Sequence, residues 1–153
     1  MILQTKKIIQ IIFIAFFKVI PLGLVKMIVL IIPRLFVCVP PGIQYKIHNY
    51  LGEFTVHLDS LYAIERKIFS GDYEKNTLKI IERFVNKGDV CFDIGANIGA
   101  ITLALTQKAT PKGKVFAFEP GPPIFKRLSE NVALNPKYNQ AIIIENLGVG
   151  DKN

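Results

Sequence analysis

From Tyr45 onward the apolar positions change rhythm several times, and each rhythm predicts an element. Tyr45 and Ile47, then Phe54, Val56 and Leu58, alternate with polar residues on either side of Asn49-Tyr-Leu-Gly52, which predicts two short strands joined by a turn at Gly52. Leu61, Ile64 and Ile68 recur at helical spacing within residues 60–69, and Ser70-Gly71 stops them. Asp72 is placed to cap a second helix from Tyr73 to about Asn86, carried by Leu78, Ile81 and Val85 and closed by Lys87-Gly88-Asp89. Thereafter short apolar runs alternate with helical stretches. Runs at 90–92, 115–118 and 142–144 enclose helices over about 98–108 and 122–134, a β-α-β-α-β order. Strands separated by helices of this length pair in parallel through right-handed crossovers, so the expected class is α/β with an open, doubly wound sheet.

The region before residue 43 has a different character. Residues 8–32 are dominated by Ile, Leu, Val and Phe but are interrupted by Lys18 and Lys26, leaving a longest uncharged run of ten residues, Ile8 to Phe17. A plain membrane span needs roughly 18. Two central lysines cost about 5–7 kcal/mol on an insertion scale, which the surrounding apolar residues match, so the arithmetic alone decides nothing. Pro21 and Gly23 divide the segment, and lysine stems can reach toward headgroups, so interfacial attachment is expected ahead of a spanning helix. No small-x-small cleavage site follows the run, which disfavours a signal peptide. Pro33, Pro40, Pro41 and Gly42 mark its end. The expected organisation is a hydrophobic, basic, membrane-associating helical segment at 1–42, a hairpin and helices at 43–87, and an α/β unit at 88–153.

The chain of 153 residues is 50% apolar with a net charge of +7, room for about one domain and too hydrophobic for a disordered tail. Six of its 19 basic residues precede Glu53, the first of the 12 acidic ones, so the folded body is close to neutral. The excess charge therefore belongs to the greasy N-terminus, and no nucleic-acid partner is expected. Cys38 and Cys91 are far apart and lack a histidine cluster, so neither a metal site nor a disulfide is expected and a cytoplasmic, membrane-associated location follows. Cys91 reads as a small buried hydrophobe, and His48 and His57 as surface or packing residues.

The most informative segment is the turn after the first run of the α/β unit, Asp93-Ile-Gly-Ala-Asn-Ile-Gly99. Gly95 and Gly99 permit close approach of a ligand and a tight start to the next helix. A dinucleotide site would want G-x-G-x-x-G and a pyrophosphate on free N–H groups. Here an acid stands at the strand's carboxyl end, which suits a cationic ligand such as S-adenosylmethionine; the competing reading is that Asp93 only caps the helix. Glu119 ends the second run at about the offset where a carboxylate takes ribose hydroxyls, and Pro120-Gly121-Pro122 fixes its direction. Phe116 and Phe118 read as sheet core rather than an adenine clamp.

The run Gly88-Asp-Val-Cys-Phe-Asp-Ile-Gly-Ala-Asn-Ile-Gly99, with Val115-Phe-Ala-Phe-Glu-Pro120 and Leu128-Ser-Glu-Asn-Val-Ala-Leu-Asn135, resembles the FkbM family of S-adenosylmethionine-dependent methyltransferases. Gly71-Asp-Tyr-Glu74 resembles that family's G-x-Y-E element. The resemblance spans about Gly71 to Asp151. It implies a Rossmann-like class I methyltransferase fold, with Asp93, Gly95, Asn97 and Gly99 at the methionine end of the cofactor, Glu119 on the ribose, Glu74 near the site, and Asn146 and Asp151 on the stretch past the adenine. It further implies O-methylation of a sugar or glycan hydroxyl. Family members continue through further strands that build the acceptor pocket, so the chain is expected to be an incomplete fold, inactive alone, with its catalytic residues unassigned and its open sheet edge available to another chain. The alternative is a non-enzymatic, membrane-associated remnant or assembly subunit with a vestigial cofactor loop.

Overall fold

A computed structural model describes residues 42–151. The expectation of a membrane-associating helix at the N-terminus falls on residues 1–41, outside those described. Among the described residues no helix is long and apolar enough to cross a membrane.

The expected hairpin forms from β1 (Gln44–Tyr50) and β2 (Phe54–Asp59), paired antiparallel from Gln44↔Asp59 to Tyr50↔Phe54. Its turn uses Gly52 at φ 90°, a conformation that costs glycine little. Alternation delivers the predicted inner face: Phe54, Val56 and Leu58 are fully buried. The first helix, α1 (Ala63–Ser70), starts later than expected and is closed by Gly71 in the left-handed region, whose N–H donates to the Ile68 carbonyl. Ser60 lies outside it, with its hydroxyl accepting the Ile43 N–H.

The second helix corrects the sequence reading at both ends. It is α2 (Lys75–Phe84), with Glu74 at the N-cap in the left-handed region and no side-chain cap. Asp72 does not cap; its carboxylate pairs with Lys75. At the other end Val85 turns extended, and the Asp89 carboxylate takes the Asn86 N–H, so the helix stops two residues early.

The α/β unit follows the predicted order: β3 (Val90–Ile94), α3 (Ala100–Ala109), β4 (Lys114–Phe118), α4 (Pro122–Ala133), a 3-10 turn (Pro136–Tyr138) and β5 (Ile142–Glu145). The strands are parallel in the order β3-β4-β5. Leu103 of α3 and Leu128 and Val132 of α4 share one buried cluster with Ala117 and Ile142, so both helices cover the same sheet face.

The hairpin forms a third layer on the outer side of those helices, and asparagine side chains tie it down. Asn131 accepts the His57 N–H at 2.7 Å and donates to the Ile98 carbonyl; Asn135 both accepts from Thr55 N–H and donates to Thr55 O at 2.8 Å. The buried Glu65 carboxylate is matched by Arg127, whose guanidinium also lies over the Tyr62 ring. No helix among the described residues covers the opposite sheet face. Phe116 and Phe118 are therefore half-buried rather than core, and they stack with Phe92 at 5.4 and 6.3 Å between centroids. Cys91 is half-buried, and burial raises its thiol pKa.

Candidate functional site

Asp93, Gly95, Asn97, Gly99 and Glu119 lie together where β3 and β4 end. The loop after β3 turns through positive φ at Gly95 (81°), Asn97 (51°) and Gly99 (94°). At Gly99 the need is double, because a Cβ would also lie 2.8 Å from Leu128 Cδ1, where α3 and α4 approach.

All five backbone donors of this loop are spent internally. Gly95 and Ala96 N–H both donate to Phe118 O at 2.9 Å, Asn97 N–H to Glu119 Oε2, Ile98 N–H to Asn97 Oδ1, and Gly99 N–H to Ala96 O. A pyrophosphate cradle requires free N–H groups. This loop offers none in the arrangement described, so it presents oxygen acceptors and not an anion nest.

Glu119, half-buried at the end of β4, is fixed by two backbone donors: Asn97 N–H to Oε2 and Gly121 N–H to Oε1, each at 2.9 Å. A carboxylate has about four acceptor positions, so each oxygen retains capacity for a ligand hydroxyl. Asn146 donates to Glu119 O at 2.8 Å and Pro120 O at 3.3 Å, pinning the chain after β5 to the turn that carries the carboxylate. Asn97, Glu119 and Asn146 are thus gathered into one hydrogen-bonded group.

Asp93 lies on the covered face and is 9% exposed. Its Oδ2 accepts the Thr102 hydroxyl at 2.6 Å. Thr102 is the third residue of α3, so Asp93 is tied to the first turn of this helix side chain to side chain, while the helix start at Gly99 has no side-chain cap. Burial pushes the Asp93 carboxyl above its usual range, against the hydrogen bonding of Thr102.

Glu74 is exposed, held in a left-handed conformation at φ 46° with its carboxylate accepting from Thr77 Oγ1 at 2.7 Å. No hydrogen bond joins it to the loop. Tyr73 beside it packs against the core cluster, and its hydroxyl pKa is raised by burial, then by the charges of Glu74 and Asp93. Asp151 is exposed. Among the described residues no group of three or more His, Cys, Asp and Glu side chains could hold a metal ion.

No family model matches the chain. It is 38% identical over 87 residues to the hexuronic acid methyltransferase AglP of Haloferax volcanii, a match covering 56% of this chain and 33% of that protein. The chain thus spans about a third of the length of this curated relative. Among solved structures it resembles P. horikoshii TYW2 in complex with MeSAdo, with a TM-score of 0.51 and 21% identity over 69% of this chain and 36% of that one. It also resembles M. jannaschii TYW2 in complex with AdoMet, with a TM-score of 0.50 and 24% identity over 69% and 43% of the two chains. Residues 42–151 carry an α/β Rossmann-like methyltransferase fold with a partial sheet.

Proposed function

We propose that the crevice formed by residues 93–99 and Glu119 binds S-adenosylmethionine, and that the chain is the cofactor-binding part of a methyltransferase of FkbM type that methylates a sugar or glycan hydroxyl. The observation carrying this reading is the state of the site's hydrogen-bonding groups: the loop donors are consumed and a backbone-fixed carboxylate remains. Such a site suits a ligand that brings its own donors and positive charge. When bound, S-adenosylmethionine supplies a methyl group on a sulfonium.

Glu119 would hold the ribose diol through the acceptor capacity left on its two oxygens. Gly95, Asn97 and Gly99 shape the backbone beside the methionine end, and the electronegative surroundings of Asp93 favour its cationic groups. Asn146 fixes the turn behind Glu119. The complexes of the two TYW2 structures support the cofactor assignment, and the hexuronic acid methyltransferase supports a sugar acceptor. The apolar, basic segment at 1–42 would attach the protein to the cytoplasmic membrane surface, which flotation of the full chain with vesicles tests directly.

Calorimetric titration of the full chain with S-adenosylmethionine and with S-adenosylhomocysteine tests the central claim. Binding should weaken about 10-fold or more in Glu119→Ala, the scale of lost hydrogen bonds to a charged group. Equal affinity in wild type and Glu119→Ala, or tighter binding of NAD, refutes it.

A further inference from the structure

The amino ends of the parallel strands carry a second constellation, at the opposite end of the sheet from the loop at 93–99. Three connections converge there: the exit of α2 at Lys87, the turn from Thr110 to Gly113 between α3 and β4, and the chain from Lys137 to Ala141 that leads into β5. They enclose a cavity of about 380 Å³, lined by Lys87, Lys112, Lys114 and Lys137 together with Thr110 and Gln140. No acidic side chain of the described residues lines it.

The folded body is close to neutral, so four lysines on one concavity are a local concentration of positive charge that composition does not force. Carboxylates answer little of it. Lys137 Nζ lies 3.4 Å from Glu53 Oε2, whereas Lys87, Lys112 and Lys114 form no ion pair among the described residues. Asp89, two residues from Lys87, has its carboxylate on the Asn86 N–H at 2.8 Å.

The backbone that bears these lysines is fixed. Ala109 O accepts both Gly88 N–H at 2.8 Å and Gly113 N–H at 2.9 Å, and Asp89 O accepts Lys114 N–H at 3.0 Å. A Cβ at Gly113 would lie 2.4 Å from Asp89 O, so only glycine lets the two loops meet this closely. Lys114 Nζ donates to Gln140 O, tying the third connection to β4, and Lys137 Nζ donates to the Tyr138 hydroxyl at 3.0 Å. The frame carrying the four stems needs no rearrangement to receive an anion, which lowers the ordering cost of binding.

An ammonium is a compact charge with three donors and suits the several oxygens of phosphoryl groups, whereas a planar carboxylate is matched better by a guanidinium fork. Three lysines without a carboxylate partner call for more than one anionic group. A nucleic-acid backbone is followed by an extended stripe of charge with exposed rings for stacking. Here the charge converges on one concavity, and its aromatic neighbour Tyr138 is buried.

We infer that this cavity binds a diphosphate group, carried by a soluble ester or by a lipid headgroup, through the ammonium groups of Lys87, Lys112, Lys114 and Lys137. It is a separate site from the crevice at Glu119, and it does not depend on the identity of the ligand bound there.

Calorimetric titration of the full chain with pyrophosphate tests the assignment. Lys87→Gln and Lys112→Gln should each weaken binding about 10-fold, the scale of a hydrogen bond to a charged group. Both lysines are exposed, so neither change disturbs packing. Lys67→Gln, on the exposed part of α1, should leave the affinity unchanged, and added salt should lower it. Competition separates the two sources. Displacement of pyrophosphate by phosphatidylcholine vesicles carrying diacylglycerol pyrophosphate, and not by the same vesicles without it, assigns a lipid headgroup; displacement by uridine diphosphate assigns a soluble ester. Absence of saturable binding at millimolar pyrophosphate, binding indifferent to Lys112→Gln, or tighter binding of a single-stranded RNA that Lys112→Gln weakens overturns the inference.

Discussion

The observed contact of Asp93 and its proposed role pull its chemistry in opposite directions. As partner of the Thr102 hydroxyl it needs only an acceptor, which a neutral amide supplies; in the proposed site for a cation it would have to be charged while almost fully buried. Its raised carboxyl pKa means that the native state binds more protons than the unfolded chain above the unfolded value of about 3.9. Its contribution to stability is therefore best at acid pH and falls as pH rises through the window from the unfolded value up to the native one. Asp93→Asn should melt higher than wild type at pH 7.5, the gap closing toward pH 3.5, and it should bind S-adenosylmethionine more weakly. Thermal melts across that range, paired with calorimetry, check both halves; a lower melting temperature at neutral pH would show that the charge is structurally required. The sequence displayed Asp93, Glu119 and the glycines clearly because they fall at strand ends in fixed order. It could not display Thr102 as the partner of Asp93, since that contact depends on α3 bringing its first turn over β3.

Elements are joined in this protein by polar side chains as well as by the apolar rhythm that predicts the elements themselves. The hairpin was legible from its alternation, but its docking was not. Asn131 and Asn135 lie four apart on α4 and serve the backbone of β2, a hydrogen-bond pattern normally supplied by a neighbouring strand. Asn131→Ala and Asn135→Ala should each destabilise the fold by about 1–3 kcal/mol, because backbone groups of β2 lose their partners. Their combined effect in a double-mutant cycle should depart from additivity, since both side chains hold the same short stretch of β2, at Thr55 and His57. Denaturant titration measures both. A second tie joins the hairpin turn to the 3-10 turn and α3: Glu53 accepts from Tyr138, Gln107 and Lys137. The Tyr138 hydrogen bond, followed by those from Gln107 and Lys137, holds the Glu53 carboxyl below its ordinary range against a smaller effect of burial. A lowered carboxyl pKa contributes stability above the unfolded value and loses it as pH falls through the native one. Glu53→Gln should therefore lower the melting temperature by about 2–5 °C at pH 7, with the difference vanishing in acid. A pH-independent difference would assign the tie to packing instead of charge.

At the scale of the molecule, the β-α-β-α-β order could be read from periodicity and the open first strand was implied by the family resemblance, whereas the fate of the sheet's second face could be read from neither. Apolar runs such as 115–118 look alike whether one face or both are covered, so Phe116 and Phe118 read as core until α3 and α4 are seen to share a side. That arrangement governs what the chain can catalyse. Methyl transfer requires an acceptor oxygen held about 3–3.5 Å from the methyl carbon and in line with the departing sulfur, and much of the rate comes from that positioning. Under the proposed function the described residues would supply the cofactor side: the loop at 95–99, Glu119 with its two backbone donors, and Asn146 behind them. Beyond the free edge of β3 they place no side chain to orient a hydroxyl or exclude water. The purified chain should accordingly bind S-adenosylmethionine yet transfer no measurable methyl to a hexuronic acid glycan, as read by incorporation of isotopically labelled methyl. Turnover by the monomeric chain alone, dependent on Glu119, would mean that the chain itself completes the acceptor side.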